Sequence, residues 1–184
     1  MDMNAYISRA DFRAWAEQQP RGHFERVDGR IVPMAQQRVV HVRLKMEVWR
    51  ALDDAVRAAG LLAQAYPNGV TVEVGEDTDY LPDAVVNLGP PPDPDEFAVP
   101  VPVVIAEVLS TGGESIDTGD KFCGYFSLPS VAHFLIVSSR RRQVLHHRRA
   151  GEMIVSAVVT AGEIMLDPPG IAIDLDDIYR DAGR

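Results

Sequence analysis

The chain has 184 residues, 46% hydrophobic and 24% charged, with a net charge of −9. That size suits one folded domain with a buried core, and the apolar fraction argues against disorder over most of the length. The longest apolar runs, such as residues 99–106, are too short to span a bilayer. The first ten residues lack the basic-then-apolar order of a signal peptide, and the one cysteine, Cys123, excludes an internal disulfide. A cytoplasmic protein without membrane segments is expected.

Ser8 with Asp11 three residues on reads as a helix start, and the helix should run over residues 9–19 to Pro20. Asp28-Gly29 between Phe24-Glu25-Arg26-Val27 and Arg30-Ile31-Val32 predicts a hairpin. Val40, Leu44, Val48, Leu52 and Val56 recur every four positions and predict an amphipathic helix over 37–59, closed by Gly60. Strands are expected at 61–66, 70–74 and 84–88, with a turn at Tyr66-Pro67-Asn68-Gly69. Six prolines between 89 and 102 mark an exposed loop. Residues 103–109 read as a strand buried on both faces, with one acid in it, Glu107. A helix over 115–127 should follow, with Cys123 on it as a small buried hydrophobe, and then strands at 131–137, 143–147, 153–159 and 171–173. The order predicts an α/β or α+β fold, a mixed sheet flanked by helices.

Charge is unevenly spread. Residues 58–120 carry twelve acids and no Lys or Arg, so the whole negative excess sits in the middle third. Such a block repels nucleic acid unless cations neutralise it, and it is where metal-binding carboxylates would gather. There are 16 arginines and only two lysines, Lys45 and Lys121. Lysine is a compact point charge that fits beside a nucleophile, which arginine's wide fork does not.

Three features stand together: Tyr80-Leu81-Pro82-Asp83 at a strand start, Ala106-Glu107-Val108-Leu109-Ser110 at a strand end, and Asp117, Lys121 and Tyr125 on one face of a helix. A carboxylate in a buried apolar strand is costly unless it is paired or metal-bound. Asp83 and Glu107 delivered by neighbouring strand ends would make an oxygen-rich pocket suited to Mg²⁺ or Mn²⁺, and a lysine beside them would steady negative charge. These parts describe metal-assisted hydrolysis of a phosphodiester. The same pattern also arises when Asp83 caps a strand and Glu107 and Lys121 form a structural ion pair.

The ordered set Phe24-Glu25-Arg26-Val27-Asp28-Gly29-Arg30, His41, Pro82-Asp83, Glu107-Val108-Leu109-Ser110 and Asp117-x-x-x-Lys121-x-x-x-Tyr125 resembles the Uma2 family, also called DUF820. This is a bacterial group of restriction-endonuclease-like proteins within the PD-(D/E)xK nuclease superfamily. The resemblance implies one restriction-endonuclease-like domain over residues 1–184, with 1–20 as a helical appendage. It implies a divalent-metal site on Asp83 and Glu107, with Mg²⁺ or Mn²⁺ as cofactor. Leu109 stands where the superfamily's usual lysine would be, and Lys121, from the following helix, takes its place. The resemblance also implies a homodimer and puts His41 and Glu25 near the site.

Other residues carry two readings each. The Val108 carbonyl is a further candidate metal ligand. His41 would orient a carboxylate or touch substrate, or simply sit near a helix start. Glu25 would be an extra ligand or a surface acid. Tyr125 would bind phosphate or pack, and Asp117 would pair with Lys121 four residues on. Arg140, Arg141, Arg142, Arg148 and Arg149 form the only dense basic cluster, a candidate nucleic-acid contact or a guard on a sheet edge. The expected function is a Mg²⁺-dependent endonuclease acting on DNA, with Asp83, Glu107 and Lys121 catalytic. The alternative is a catalytically inactive nuclease fold used for binding or oligomeric assembly.

Overall fold

A computed structural model describes residues 2–109 and 115–180, the side chains of 115–118 excepted. The chain begins with α1 (Arg9–Glu17), where the Ser8 hydroxyl accepts the Asp11 N–H at 3.2 Å. A hairpin follows, β1 (Phe24–Val27) and β2 (Arg30–Pro33). Asp28 and Gly29 have φ of 49° and 70°, the left-handed pair that a two-residue turn of matching twist requires. The long helix α2 (Val39–Ala59) ends on Gly60, also left-handed at φ 63°. Then come β3 (Ala63–Pro67), β4 (Val72–Val74), β5 (Thr78–Tyr80), β6 (Ala84–Leu88) and β7 (Pro102–Leu109). Helix α3 (Ser115–Ser127) connects β7 to β8 (His133–Ser138), and β9 (Val144–Ala150) and β10 (Met153–Val159) follow. The chain closes with β11 (Glu163–Leu166), β12 (Ile171–Asp174) and the short α4 (Leu175–Ile178).

The fold is mixed α+β. Its main sheet has six strands in the order β10-β9-β8-β7-β6-β3, with β7 and β8 parallel and the other pairs antiparallel. A parallel pair needs a crossover, and α3 is that crossover. A second sheet, β2-β1-β5-β4, and the β11-β12 hairpin complete it. Side chains alternate across β7. Val104, Ala106 and Val108 join the core with Leu44, Val48 and Leu52 of α2, while Ile105 packs with Tyr125 of α3 and Phe134. The central strand is therefore covered on both faces, as its apolar run predicts.

Four strand and helix assignments, and the burial of one residue, differ from expectation. The run at 70–74 is not a neighbour of β3: its strand β4 belongs to the small sheet, paired with β5. β5, β11 and α4 were not expected; each is three or four residues long, too short for a periodic signal. Cys123 is exposed rather than buried. Among the described side chains of α3, Lys121 and Tyr125 are the buried ones, and residue 123 falls on the opposite side of that helix.

Helix α1 is tied to the small sheet by charge. Arg26 of β1, fully buried, donates to Asp79 of β5 at 2.5 Å, and Arg9 of α1 donates to the same carboxylate at 2.6 Å. Arg26 also donates to the carbonyls of Ile7 and Glu76. Shared contacts of this kind satisfy a buried guanidinium.

At the far side of the main sheet, His133 Nδ1 and His146 Nε2 share a hydrogen bond of 2.9 Å. Burial, with His133, Arg148 and His147 adding to it, pushes His146 down from 6.5 to about 4. The unfolded chain then takes up the proton first, so the stability from this group is present above pH 6.5 and is lost as pH falls toward 4. We expect the melting temperature of His146→Gln, relative to the wild type, to rise as pH is lowered through that window. A pH-independent difference in thermal melts would contradict this.

Candidate active site

The site lies where the end of β7 meets the start of β6. These strands run antiparallel, with Ala84 opposite Ala106, so Asp83 and Glu107 are placed beside the same strand end. The Asp83 N–H donates to the Ala106 carbonyl at 3.1 Å, and the Asp83 side chain turns back to accept the Val108 N–H at 2.7 Å. Both acids line a cavity of about 300 Å³. Glu25, His41, Val108 and Lys121 line it as well.

Glu25 arrives from β1, next to the anchored Arg26, and accepts the Leu81 N–H at 2.9 Å. Lys121 reaches in from α3 and donates to Glu25 at 2.8 Å and to Glu107 at 3.0 Å. One turn on, the Tyr125 hydroxyl donates to Glu107 at 2.8 Å from a fully buried ring. His41 Nε2 stands 3.8 Å from Asp83, outside hydrogen-bond distance. The Asp117 side chain lies outside the described residues.

Lys45, singled out in the sequence only for the rarity of lysine, was not placed among the site residues. It lies on α2, one turn after His41, is buried, and forms an ion pair with Asp83. Both lysines of a chain with 16 arginines therefore face one cavity, each on a carboxylate. The signal was present: the rarity of lysine, and the i, i+4 spacing that stacks Lys45 over His41.

Three carboxylates and two ammonium groups thus share one buried pocket. Burial raises Glu107 from 4.5 to about 7, with Asp83 adding to the rise and Lys121 opposing it. Burial likewise raises Glu25 against the pull of Lys121, and Asp83 against the pull of Lys45. The Tyr125 phenol is driven upward by burial and by Glu107, so it stays a donor. The lysines do not fully offset the burial of the acids, and added positive charge here would be favourable.

The arginine cluster does not line the cavity. Arg149 donates to the carbonyls of Val131, Phe126 and Leu128 at 2.8–3.0 Å, fastening the end of α3. Arg142 pairs with Asp176 at the surface. Arg140 and Arg141, in the β8–β9 turn, and Arg148, on β9, are exposed.

Residues 9–177 match the Uma2 family, described as "Putative restriction endonuclease". The chain belongs to this family. Two uncharacterized proteins of Synechocystis sp. are similar to it. One, sll1609, is 27% identical over 139 residues, covering 74% of this chain and 77% of its own; the other, slr1290, is 26% identical over 181 residues, covering 95% and 92%. A crystal structure from Anabaena variabilis, titled a "putative nuclease belonging to DUF820", superposes with a TM-score of 0.72 at 15% identity, covering 95% of this chain and 98% of that one. That likeness speaks to the shared fold.

Restriction-endonuclease-like enzymes generally use divalent metals, so the Uma2 pocket can be tested for fit. Asp83 and Glu107 supply hard oxygens in a buried, acid-rich setting. Among the described residues no group of three or more His, Cys, Asp or Glu side chains forms a closed cage. Mg²⁺ does not need one: it commonly takes one or two carboxylates and keeps waters or substrate phosphate for the rest. The donor chemistry fits.

Proposed function

We propose that this Uma2 protein is a divalent-metal-dependent endonuclease that hydrolyses phosphodiester bonds of DNA. The observation that supports it most is the meeting of Asp83, Glu107 and Lys121, from two strand ends and a helix, in one buried cavity. Asp83 and Glu107, with the Val108 carbonyl as a further candidate, would hold Mg²⁺ or Mn²⁺. When bound, such an ion lowers the pKa of water and neutralises charge on a phosphate.

The chain's own residues would do the rest. Lys121 presents an ammonium at the acids, where an attacking water or a charged phosphate oxygen is steadied. Tyr125 fixes the Glu107 carboxylate by its hydroxyl, and Glu25 shares Lys121 and sets its position. His41 lines the cavity, where it can meet substrate. Arg140, Arg141 and Arg148 offer phosphate contacts that a protein of net charge −9 needs. The single cysteine fits a reducing cytoplasm, and no helix among the described residues is long and apolar enough to cross a membrane. A second reading, a nuclease fold kept for binding without catalysis, draws on the ion pairing of Asp83 by Lys45.

Asp83→Asn, Glu107→Gln and Lys121→Met keep side-chain size and remove charge. With plasmid DNA and Mg²⁺ or Mn²⁺, each should lower the cleavage rate about 100-fold or more while circular dichroism shows a native fold. Undiminished metal-dependent cleavage in all three would overturn the assignment, and a wild type that binds DNA without cutting would favour the second reading.

We also propose a homodimer through β10. This strand ends the main sheet, and its outer edge has no partner strand among the described residues. Its seven residues carry no charge and no proline, the usual guards of an edge, and Met153, Val155 and Val158 are exposed. An antiparallel edge can pair with a second copy of itself about a two-fold axis. Sedimentation should show a dimer that Val155→Lys with Val158→Lys converts to monomer. A wild type that is monomeric at every concentration would refute this.

A further inference from the structure

Among the described residues, Lys45 and Lys121 are the buried lysines, and their settings differ. Lys45 comes from the face of the sheet opposite α3, and its ammonium sits on Asp83 Oδ1. The other Asp83 oxygen accepts the Val108 N–H. Both oxygens of a candidate metal ligand are thus already engaged. Lys121 differs: it is shared between Glu25 and Glu107, so its charge is spread over two acids.

With Glu107, raised to about 7, taken in its ionised form, Asp83, Glu107 and Glu25 against Lys45 and Lys121 leave one net negative charge. Without Lys45 the pocket would hold two. A divalent ion entering beside Asp83 meets the full positive charge of Lys45 in a setting where water screens little. The ion and the ammonium compete for Asp83 Oδ1, the oxygen that the Val108 N–H does not hold. We propose that Lys45 is a resident counter-ion of the site, which balances Asp83 in the metal-free protein and must leave it when a divalent cation binds. This rests on the metal-site reading above and makes Lys45 a positioning residue whose charge sets the metal affinity. It also gives metal-free protein a stable pocket, since an uncompensated buried carboxylate is strongly destabilising. A displaced ammonium remains on a four-carbon tether beside the cavity, where the phosphate of a substrate would offer it a further anion.

The chain's two lysines make the test unusually clean. In wild-type protein labelled with ¹³C at lysine Cε, NMR should show two lysine signals, assigned with Lys45→Met or Lys121→Arg. Adding Mg²⁺ alone should shift the Lys45 signal. Calorimetry with Mn²⁺ alone should show Lys45→Met binding about tenfold or more tighter than the wild type, since a like charge beside the ion is removed. Lys45→Met should also melt lower than the wild type in chelator and regain more from Mn²⁺. Metal binding that leaves the Lys45 signal unmoved, or equal affinity in the two proteins, would overturn the counter-ion role and leave the metal site standing. No binding of either ion to wild type or variant would overturn both. Binding that persists in Asp83→Asn would place the metal elsewhere and overturn both as well.

Discussion

Opposite charges buried together constrain this molecule more than any other feature. Asp83, Glu107 and Glu25 are all removed from water, and each would be expensive alone. Lys45 and Lys121 make that burial tolerable, and they can do so only if α2 and α3 are held on their respective sides of the main sheet. The apolar stripe of α2 and the crossover position of α3 therefore do more than fill a core. They deliver one ammonium each to the end of β7.

The same logic explains why the small sheet is built as it is. Glu25 must reach Lys121, so β1 must be fixed, and the fully buried Arg26 next to it clamps β1 to β5 through Asp79. Arg9 adds α1 to that clamp. A charge network remote from the cavity thus sets the position of a residue within it. Arg149 does a similar service for α3, by holding the carbonyls at its C-terminal end. The Uma2 fold places the acids; these arginines keep the supporting elements in register.

Much of this was legible in the residues. Acids inside apolar runs flagged Asp83 and Glu107, because a carboxylate there must be paired or metal-bound. The four-residue period marked α2, and Asp28-Gly29 marked the hairpin. Lys45 was not legible in the same way. On an amphipathic helix a lysine beside the apolar stripe ordinarily extends to solvent, and only the packing of α2 against β6 and β7 turns it inward. β5 was invisible because Thr78-Asp79-Tyr80 has no period to detect; its strand character comes from pairing with β1 and β4. The arginine cluster read as one patch, yet Arg149 is spent on the helix end, a role that depends on where α3 stops.

The central claim is that Asp83 and Glu107 form one divalent-cation site. Crystals soaked in Mn²⁺ and measured for anomalous scattering test it without reference to activity. The account predicts one strong peak in contact with both carboxylates, with the Lys45 ammonium moved off Asp83. An empty pocket with Lys45 still seated on Asp83, or a peak bound only by other residues, would contradict it.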